Sequence, residues 1–270
     1  MNRVAIDLGF IQIYWYSITM FLGVALGSIL TYFEIKRLKL DKEYFFNMLF
    51  YVILFGFLGA RLYYVLFNLD YYLANPYEIL AVWNGGLAIH GAIVAGLITI
   101  FIYSFKHQKK IEEVIKYIDT CTFGLILGQI IGRWGNFFNS EAHGGVTTRL
   151  FLEKLHLPEF IINGMYIDGV YYHPTFFYES ILNLIGLVIL LVVRRNKKLK
   201  TGMLFSIYLI WYSIVRFFIE SMRTDSLMLG SLKMAQVISI ILLITGIIIF
   251  IISFKKASNY NEKGKKYEKI

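Results

Sequence analysis

The sequence is poor in charge and in cysteine. Charged residues make up 17% of the 270 positions, whereas hydrophobic residues make up 57%. The single cysteine, Cys121, excludes a disulfide within the chain. The H-E-x-x-H, G-x-S-x-G, Walker and Cys/His metal-ligand patterns are all missing. Because the acidic residues are also scattered, we expect neither a bound metal ion nor another cofactor.

Long apolar runs occupy much of the chain. A helix needs about 20 apolar residues to cross roughly 30 Å of hydrocarbon. Seven such runs lie at about 11–33, 44–67, 86–105, 114–137, 174–193, 202–221 and 234–253. The first lacks a basic region before it and a small-residue cleavage site after it, so it is interpreted as a retained span. The sequence therefore predicts an all-α polytopic membrane protein with a bundle of seven transmembrane helices.

The basic residues predict the orientation of these spans. Of 27 Lys and Arg, 19 lie in segments 36–42, 106–116, 194–200 and 255–269. These alternate with basic-poor segments, and Lys and Arg stay preferentially in cytoplasmic loops. The N-terminus is then outside and the C-terminus cytoplasmic. The net charge of +9 is explained by these loops, so no nucleic-acid partner is expected.

We expect one transmembrane domain over residues 1–254 and a basic cytoplasmic tail over 255–270. A small external insertion at about 138–173 separates spans 4 and 5. Within it, the β-prone stretch around Asp168-Gly169 predicts a hairpin with a type I′ turn. Gly23 and Gly27 in span 1 and a glycine ridge in span 4 predict close helix packing.

Polar side chains occur at one depth of six spans, in the half of the bilayer that the orientation makes external. An ionisable group inside a span costs at least a few kcal/mol and usually marks a functional site. Only Asp119 lies at a cytoplasmic end. The external set comprises Tyr16, Arg61, His90, Arg133, Asn136, His173, Tyr178, Glu179, Tyr212, Arg216, Glu220 and Arg223.

The arginines of this set outnumber the acids beside them, by four to three. An i,i+4 pair of Arg216 with Glu220 could neutralise itself, and Arg223 could extend to the headgroups. Neither alternative accounts for the whole set, so we expect an anionic ligand. Arg binds phosphate in a bidentate fork, which favours a phospholipid headgroup. The residues counted are Arg61, Arg133, Arg216 and Arg223 against Glu141, Glu179 and Glu220.

His90 lies in the glycine-rich stretch GGLAIHGAIVAG. A lone buried histidine is more often structural than catalytic. Its ordinary pKa nevertheless suits proton transfer, and the flanking glycines would allow close backbone access. Both interpretations remain open from the residues alone.

The segment GRWGNFFNSEAHGG (132–145) resembles the signature of the bacterial phosphatidylglycerol–prolipoprotein diacylglyceryl transferase family. The resemblance extends in order and spacing to GARLYYVLF (59–67), GGLAIHG (85–91), YYHPTFFYES (171–180) and IWYSIVRFFIESMRTDSLMLG (210–230). The external insertion looks short for this family. A seven-span bundle with an external N-terminus is the fold that the resemblance implies.

The resemblance also implies a reaction and its partners. The sn-1,2-diacylglyceryl group of phosphatidylglycerol would pass to the lipobox cysteine thiol of a prolipoprotein signal peptide. A thioether forms and glycerol 1-phosphate leaves. The implied location is the bacterial cytoplasmic membrane, among its lipids, with the active site facing the outer leaflet.

The resemblance assigns roles to the polar residues. His90 would be the base that takes the thiol proton, and Arg133 and Arg216 match the essential arginines of the family. Family positions expected to bind substrate or orient these arginines are Tyr16, Asn136, Glu141, Gly144, Tyr212 and Glu220. The excess of arginines in the spans adds Arg61 and Arg223 to the expected substrate-binding residues.

Three other classes of membrane protein fit the sequence less well. A transporter or flippase usually shows inverted repeats and broken helices at mid-membrane, which the sequence lacks. A structural scaffold would have no use for arginines inside spans. An intramembrane protease needs a Ser–His or paired-Asp site in the spans, and none is evident.

Overall fold

The computed structural model describes residues 3–9 and 12–263. Seven of its helices are long and apolar enough to cross a membrane, which confirms the predicted seven-span, all-α membrane protein. They are α1 (Trp15–Leu38), α2 (Lys42–Phe67), α4 (Ile89–Lys106), α5 (Ile111–Asn139), α8 (Thr175–Val193), α9 (Met203–Met222) and α10 (Met234–Lys256). Three short helices complete the count of described α-helices: α3 (Leu69–Ala74), α6 (Arg149–Lys154) and α7 (Glu159–Gly164).

The chain divides into two compact units. The first takes in the described residues of Met1–Leu38 together with Ile115–Lys263, and the second takes in Lys39–Val114. Helices α2 and α4 thus belong to the second unit, with α3 and two 3₁₀ turns, Pro76–Leu80 and Val82–Asn84, between them. The other spans belong to the first unit, except for the first four residues of α5, which fall in the second.

Close packing of α1 against α5 explains the glycines of spans 1 and 4. A Cβ built on Gly27 would lie 2.7 Å from the carbonyl oxygen of Gly124, and one on Gly23 would lie 3.3 Å from that of Gly128. Because the obstacle is backbone, only glycine permits this approach. The predicted close packing is confirmed.

The insertion between α5 and α8 is a small folded element. Strands β3 (Val146–Thr147), β4 (Tyr166–Ile167) and β5 (Val170–Tyr172) form an antiparallel sheet in the order β3-β5-β4. Asp168 and Gly169 both have positive φ, at 50° and 85°, as a type I′ turn requires. The predicted hairpin is confirmed. The sequence did not predict β3, α6 or α7. Residues of α6 and α7 share a buried apolar core.

Two further hairpins were not predicted. Strands β1 (Val4–Asp7) and β2 (Gln12–Tyr14) pair before α1, and β6 (Met228–Leu229) pairs with β7 (Leu232–Lys233) between α9 and α10. The second of these hairpins follows directly from the end of α9.

The described chain beyond α10 belongs to the first unit and packs within it. Tyr260 is fully buried, and its hydroxyl donates to Glu34 at 2.7 Å. Its burial and the Glu34 carboxylate beside it raise the pKa of the Tyr260 hydroxyl. The remainder of the predicted basic tail, residues 264–270, lies outside the described residues.

Candidate functional site

Three helices of the first unit bring two arginines and one carboxylate together. Arg133 lies near the C-terminal end of α5, Glu179 near the N-terminal end of α8, and Arg216 in the C-terminal half of α9. Arg133 Nη2 is 2.8 Å from Glu179 Oε1, and Arg216 Nη1 is 3.6 Å from Glu179 Oε2. The Glu179 side chain is 3% exposed, whereas that of Arg133 is 22% exposed. The predicted convergence of Arg133 and Arg216 is therefore present.

Asn136 on α5 and Glu141 in the loop after it extend this site. Arg133 Nη1 donates to Asn136 Oδ1 at 3.4 Å, and Asn136 Nδ2 donates to Glu141 Oε1 at 2.9 Å. Arg133 and Asn136 are three residues apart, so they share one face of the helix. The amide of Asn136 therefore links the guanidinium of Arg133 to the Glu141 carboxylate.

The C-terminal half of α9 carries the other side of the site. Arg216 Nη2 lies 2.7 Å from Glu220 Oε2. Glu220 Oε2 lies in turn 4.0 Å from Arg223 Nε. The spacing of four residues places Arg216 and Glu220 on one helix face, and Arg223 follows as the C-cap residue of α9. The i,i+4 pair of Arg216 and Glu220 is thus real, but it is one part of a longer chain of contacts.

Asp225 closes these contacts into a ring. It accepts two hydrogen bonds from Arg223, at 2.9 and 3.0 Å, and one from the backbone N–H of Ala142 at 3.2 Å. Ala142 follows Glu141 in the chain. We call this set the ionic ring: Glu141, Asn136, Arg133, Glu179, Arg216, Glu220, Arg223 and Asp225.

The charge of the ionic ring corrects one expectation. It holds three arginines and four carboxylates, so the predicted surplus of arginines over acids is wrong within the first unit. Sequence reasoning missed Asp225 because it lies beyond the end of its span. Burial disfavours its charged form, but the hydrogen bonds and charge of Arg223 outweigh this and lower the pKa of Asp225.

The backbone of Gly144 contacts two other segments of the chain. Its N–H donates to the His173 carbonyl at 2.9 Å, and it forms an antiparallel bridge with Arg223. A Cβ on Gly144 would lie 2.8 Å from the Cβ of His173, which explains the need for glycine. Its place in the structure is to hold the loop after α5 against the end of α9.

Lys233 caps the end of α9. Its ammonium donates to the carbonyl oxygens of Glu220 and Arg223, at 2.7 and 2.8 Å, and to that of Ser221 at 3.3 Å. The last carbonyl groups of a helix lack partners within the helix, and a cation is favourable there. Lys233 was not predicted, because its role depends on the β6–β7 hairpin that returns it to α9.

Two tyrosines of the predicted set flank the ring. Tyr16, at the start of α1, lies against α5: a Cβ on Gly135 would be 2.7 Å from Tyr16 Cδ2. Tyr212 lies one turn before Arg216 and stacks on Tyr208 at 6.0 Å between ring centroids. The Tyr208 hydroxyl accepts a hydrogen bond from Gln129 Nε2 at 2.8 Å. Both tyrosines therefore lie close to residues of the ionic ring, Tyr16 through its contact with α5 and Tyr212 through its place on α9.

Arg61 belongs to the second unit and holds a loop there. Its guanidinium donates to the carbonyl oxygens of Glu78, Ile79, Gly85 and Gly86. It also lies over the ring of Tyr72, 5.2 Å from the centroid. Four of its five N–H groups are thus used by the backbone before α4. This geometry gives Arg61 a role in ordering the loop before α4.

His90 also belongs to the second unit, in the first turn of α4, with an exposed side chain. Its ring centroid is 6.1 Å from that of Tyr63. A Cβ on the adjacent Gly91 would lie 2.3 Å from the carbonyl oxygen of Gly59. The glycine after His90 therefore serves the contact of α4 with α2. The imidazole thus lies at the start of α4 and is not enclosed by the other described residues.

The chain is similar to known proteins along most of its length. A family model described as prolipoprotein diacylglyceryl transferase matches residues 3–252. A phosphatidylglycerol–prolipoprotein diacylglyceryl transferase of Bacillus cytotoxicus is 49% identical over 257 residues, which is 94% of this chain and 93% of the relative. One of Staphylococcus saprophyticus is 48% identical over 253 residues, covering 93% and 89%. One of Bacillus cereus is 49% identical over 255 residues, covering 94% and 93%.

Proposed function

Because the chain belongs to the prolipoprotein diacylglyceryl transferase family, we infer that it transfers the diacylglyceryl group of phosphatidylglycerol to a cysteine thiol of a prolipoprotein. The finer proposal is that the thiol is that of the lipobox cysteine and that the group is sn-1,2-diacylglyceryl. In the site itself, the convergence of Arg133 and Arg216 from different helices is the observation that supports this chemistry most directly.

The bond changes define what the site must supply. The thiolate sulfur attacks the glyceryl carbon that carries the phosphate ester. A carbon–sulfur bond forms, the carbon–oxygen bond breaks, and its electron pair leaves on glycerol 1-phosphate. A free thiol has a pKa near about 8.5, so a base must take its proton. The departing phosphate gains negative charge, which cationic groups fixed in a dry site stabilise.

The proposed roles follow from this chemistry. Arg133 and Arg216 bind the phosphate and stabilise its developing charge. Asn136, Glu141, Tyr212 and Glu220 hold these arginines or the glycerol headgroup, together with Tyr16, Gly144 and Arg223. His90 takes the thiol proton.

The proposed location is the bacterial cytoplasmic membrane, with the N-terminus outside and the ionic ring at outer-leaflet depth. A signal-peptide cysteine would meet the site at that depth. In a Cys121→Ala background, new cysteines at the exposed Lys154 and Lys197 test this orientation. A membrane-impermeant thiol reagent should label position 154, but not position 197, in intact cells. The reverse pattern would invert the topology.

The activity is tested with purified protein in vesicles of phosphatidylglycerol and a lipobox peptide, followed by mass spectrometry. A diacylglyceryl adduct on the peptide, with release of glycerol phosphate, supports the transferase. Cleavage of the peptide would indicate a protease instead. Vesicles of phosphatidylcholine are the control for the headgroup.

Variants of the purified protein test the assigned roles. Arg133→Lys and Arg216→Lys keep the charge but lose the bidentate fork, and each should reduce turnover at least tenfold. His90→Ala should abolish most activity, whereas His107→Ala, at the opposite end of α4, should not. Near-normal turnover of His90→Ala would show that another group takes the proton.

A further inference from the structure

Glu179 is the one carboxylate, among the described residues, within 4 Å of both Arg133 and Arg216. We propose that Glu179 is a positioning residue, whose carboxylate holds the two guanidinium groups at the spacing at which they bind a single phosphate. This inference rests on the proposed function, because it concerns the same phosphate. It assigns a role on α8, a helix that carries none of the residues expected to bind substrate.

The backbone around Glu179 is fixed to both arginine-bearing helices. Ser180 Oγ donates to the carbonyl oxygen of Ile130 on α5 at 3.1 Å. Trp211 Nε1 on α9 donates to the carbonyl oxygen of Leu182 at 3.0 Å. Glu179 thus lies on a segment that is hydrogen-bonded to α5 on one side and to α9 on the other. A carboxylate held in this way can set the distance between two side chains that approach it from those helices.

The contacts of Glu179 leave hydrogen-bonding capacity in the site. Arg216 Nη1 is buried and has no hydrogen-bond partner among the described residues, although Glu179 lies 3.6 Å away. Glu179 Oε1 is 2.8 Å from Arg133 but lacks the geometry of a hydrogen bond. The single carboxylate offsets part of the charge of the two arginines without saturating their N–H groups. An anion with several acceptor oxygens, such as a phosphate, can use the N–H group that Glu179 leaves unpaired.

A second buried carboxylate in the first unit also lies between two arginines, but its oxygens accept a full set of hydrogen bonds. Glu34 is 1% exposed and accepts hydrogen bonds from Arg37 at 2.6 and 3.0 Å and from Arg194 at 2.6 Å. The Tyr260 hydroxyl adds a further bond. This cluster has the same composition of one buried glutamate and two arginines, but its oxygens are fully used. It serves as a structural counterpart to Glu179.

Loss of the Glu179 charge would separate the two guanidinium groups. Like charges in a poorly solvated site repel strongly, and the arginine side chains would adopt positions farther apart. Charge on the leaving phosphate is greatest in the transition state, so misplaced donors reduce turnover more than ground-state binding. We therefore expect Glu179→Gln to act mainly on kcat.

The experiment compares Glu179→Gln with Glu34→Gln in the full-length protein. The peptide assay with phosphatidylglycerol vesicles gives kcat and KM, and thermal midpoints measure stability. Glu179→Gln should lower kcat at least tenfold and leave KM within about threefold. Glu34→Gln should leave kcat and KM within about threefold of wild type, even if its thermal midpoint falls as much as that of Glu179→Gln.

Two results would overturn the positioning role while the wild-type protein remains active: kcat of Glu179→Gln within threefold of wild type, or an equal loss of kcat in both variants. A wild-type protein that forms no adduct would overturn the proposed function itself. If Glu179→Gln does not fold, Glu179→Asp replaces it. This variant keeps the charge but withdraws the carboxylate by one methylene, and an unchanged kcat there would also overturn the proposal.

Discussion

Substitution of Asp119 by Asn would test how α9, the helix that carries Arg216, is anchored. Asp119 lies on α5 and is fully buried. Its carboxylate accepts the backbone N–H groups of Gly202 at 2.6 Å and Phe205 at 2.8 Å. These groups belong to the N-cap residue and the first turn of α9, where N–H groups have no partner within the helix. One helix thus supplies the N-terminal cap of another.

The expected loss follows from these two bonds. Asparagine keeps one acceptor oxygen, but its NH₂ group would face the second N–H. One charge-assisted hydrogen bond is lost, about 1.5–3 kcal/mol. The favourable interaction of the charge with the helix N-terminus is lost as well, about 0.3–2 kcal/mol. Relief of the desolvation of a buried carboxylate offsets part of this sum. We expect a net destabilisation of about 2 kcal/mol, or roughly 4–8 °C in the thermal midpoint.

Tryptophan fluorescence of the detergent-purified protein, recorded during heating, measures the midpoint. Asp41→Asn is the matched control, since Asp41 is an exposed N-cap of α2 that accepts from the Tyr44 N–H at 3.1 Å. Asparagine caps a helix about as well as aspartate there, so its midpoint should stay within about 1–2 °C. Equal midpoints for Asp119→Asn and Asp41→Asn would refute the reasoning. The KM for phosphatidylglycerol should not change, because Arg216 lies roughly 21 Å along α9 from Gly202.

Three other variants address packing, charge and loop order. Gly27→Leu forces a side chain into the Gly124 backbone and should destabilise the protein by about 1–3 kcal/mol or more, with a lower yield of folded protein in size-exclusion chromatography. The lowered pKa of Asp225 means that its pair with Arg223 stabilises fully above the unfolded pKa of about 3.9. That stability is lost as the pH falls through the folded pKa. Thermal midpoints between pH 5 and pH 3 should therefore fall less in Asp225→Asn, by a difference worth under about 1 kcal/mol because the Asp225 side chain is 45% exposed. Arg61→Met removes the donors to four loop carbonyls and should speed amide exchange in residues 78–86 while the middle of α2 stays protected; unchanged exchange would contradict its ordering role.

The seven spans were predictable because apolar length alone decides them, but their ends were not. The run predicted at 11–33 belongs to a helix that continues to Leu38. Backbone hydrogen bonding does not stop where hydropathy falls, and Glu34 and Arg37 are retained in α1 by their mutual ion pair. The short helices α6 and α7 have only six residues each. Such segments show no helical period of their own and depend on a shared core that includes Leu152 and Ile161.

The site was predictable where it follows the period of one helix, and not where it depends on another segment. The four-residue spacing of Arg216 and Glu220 is enough to place these side chains on one helix face. The partners from other elements carried no such signal. Asp225 joins Arg223 through a turn after the helix, and Arg61 is satisfied by backbone carbonyl groups, which every residue possesses. Counting charged side chains within spans therefore overestimated the cations left for a ligand.

The balance of the ionic ring bears on how such a site can exist inside a membrane and still act on phosphate. Buried ions are tolerated when they are paired, and the three arginines of the ring meet four carboxylates, with the Lys233 ammonium at the Glu220 and Arg223 carbonyls. Because the charges of the ionic ring are already paired, binding a further anion in the ground state adds little favourable free energy. The fixed donors of the ring, such as Arg216 Nη1, stabilise most strongly when negative charge develops on an oxygen beside them. In the proposed reaction that moment is the departure of glycerol 1-phosphate. A site of this kind would favour the transition state over the bound lipid, which is the difference that determines turnover.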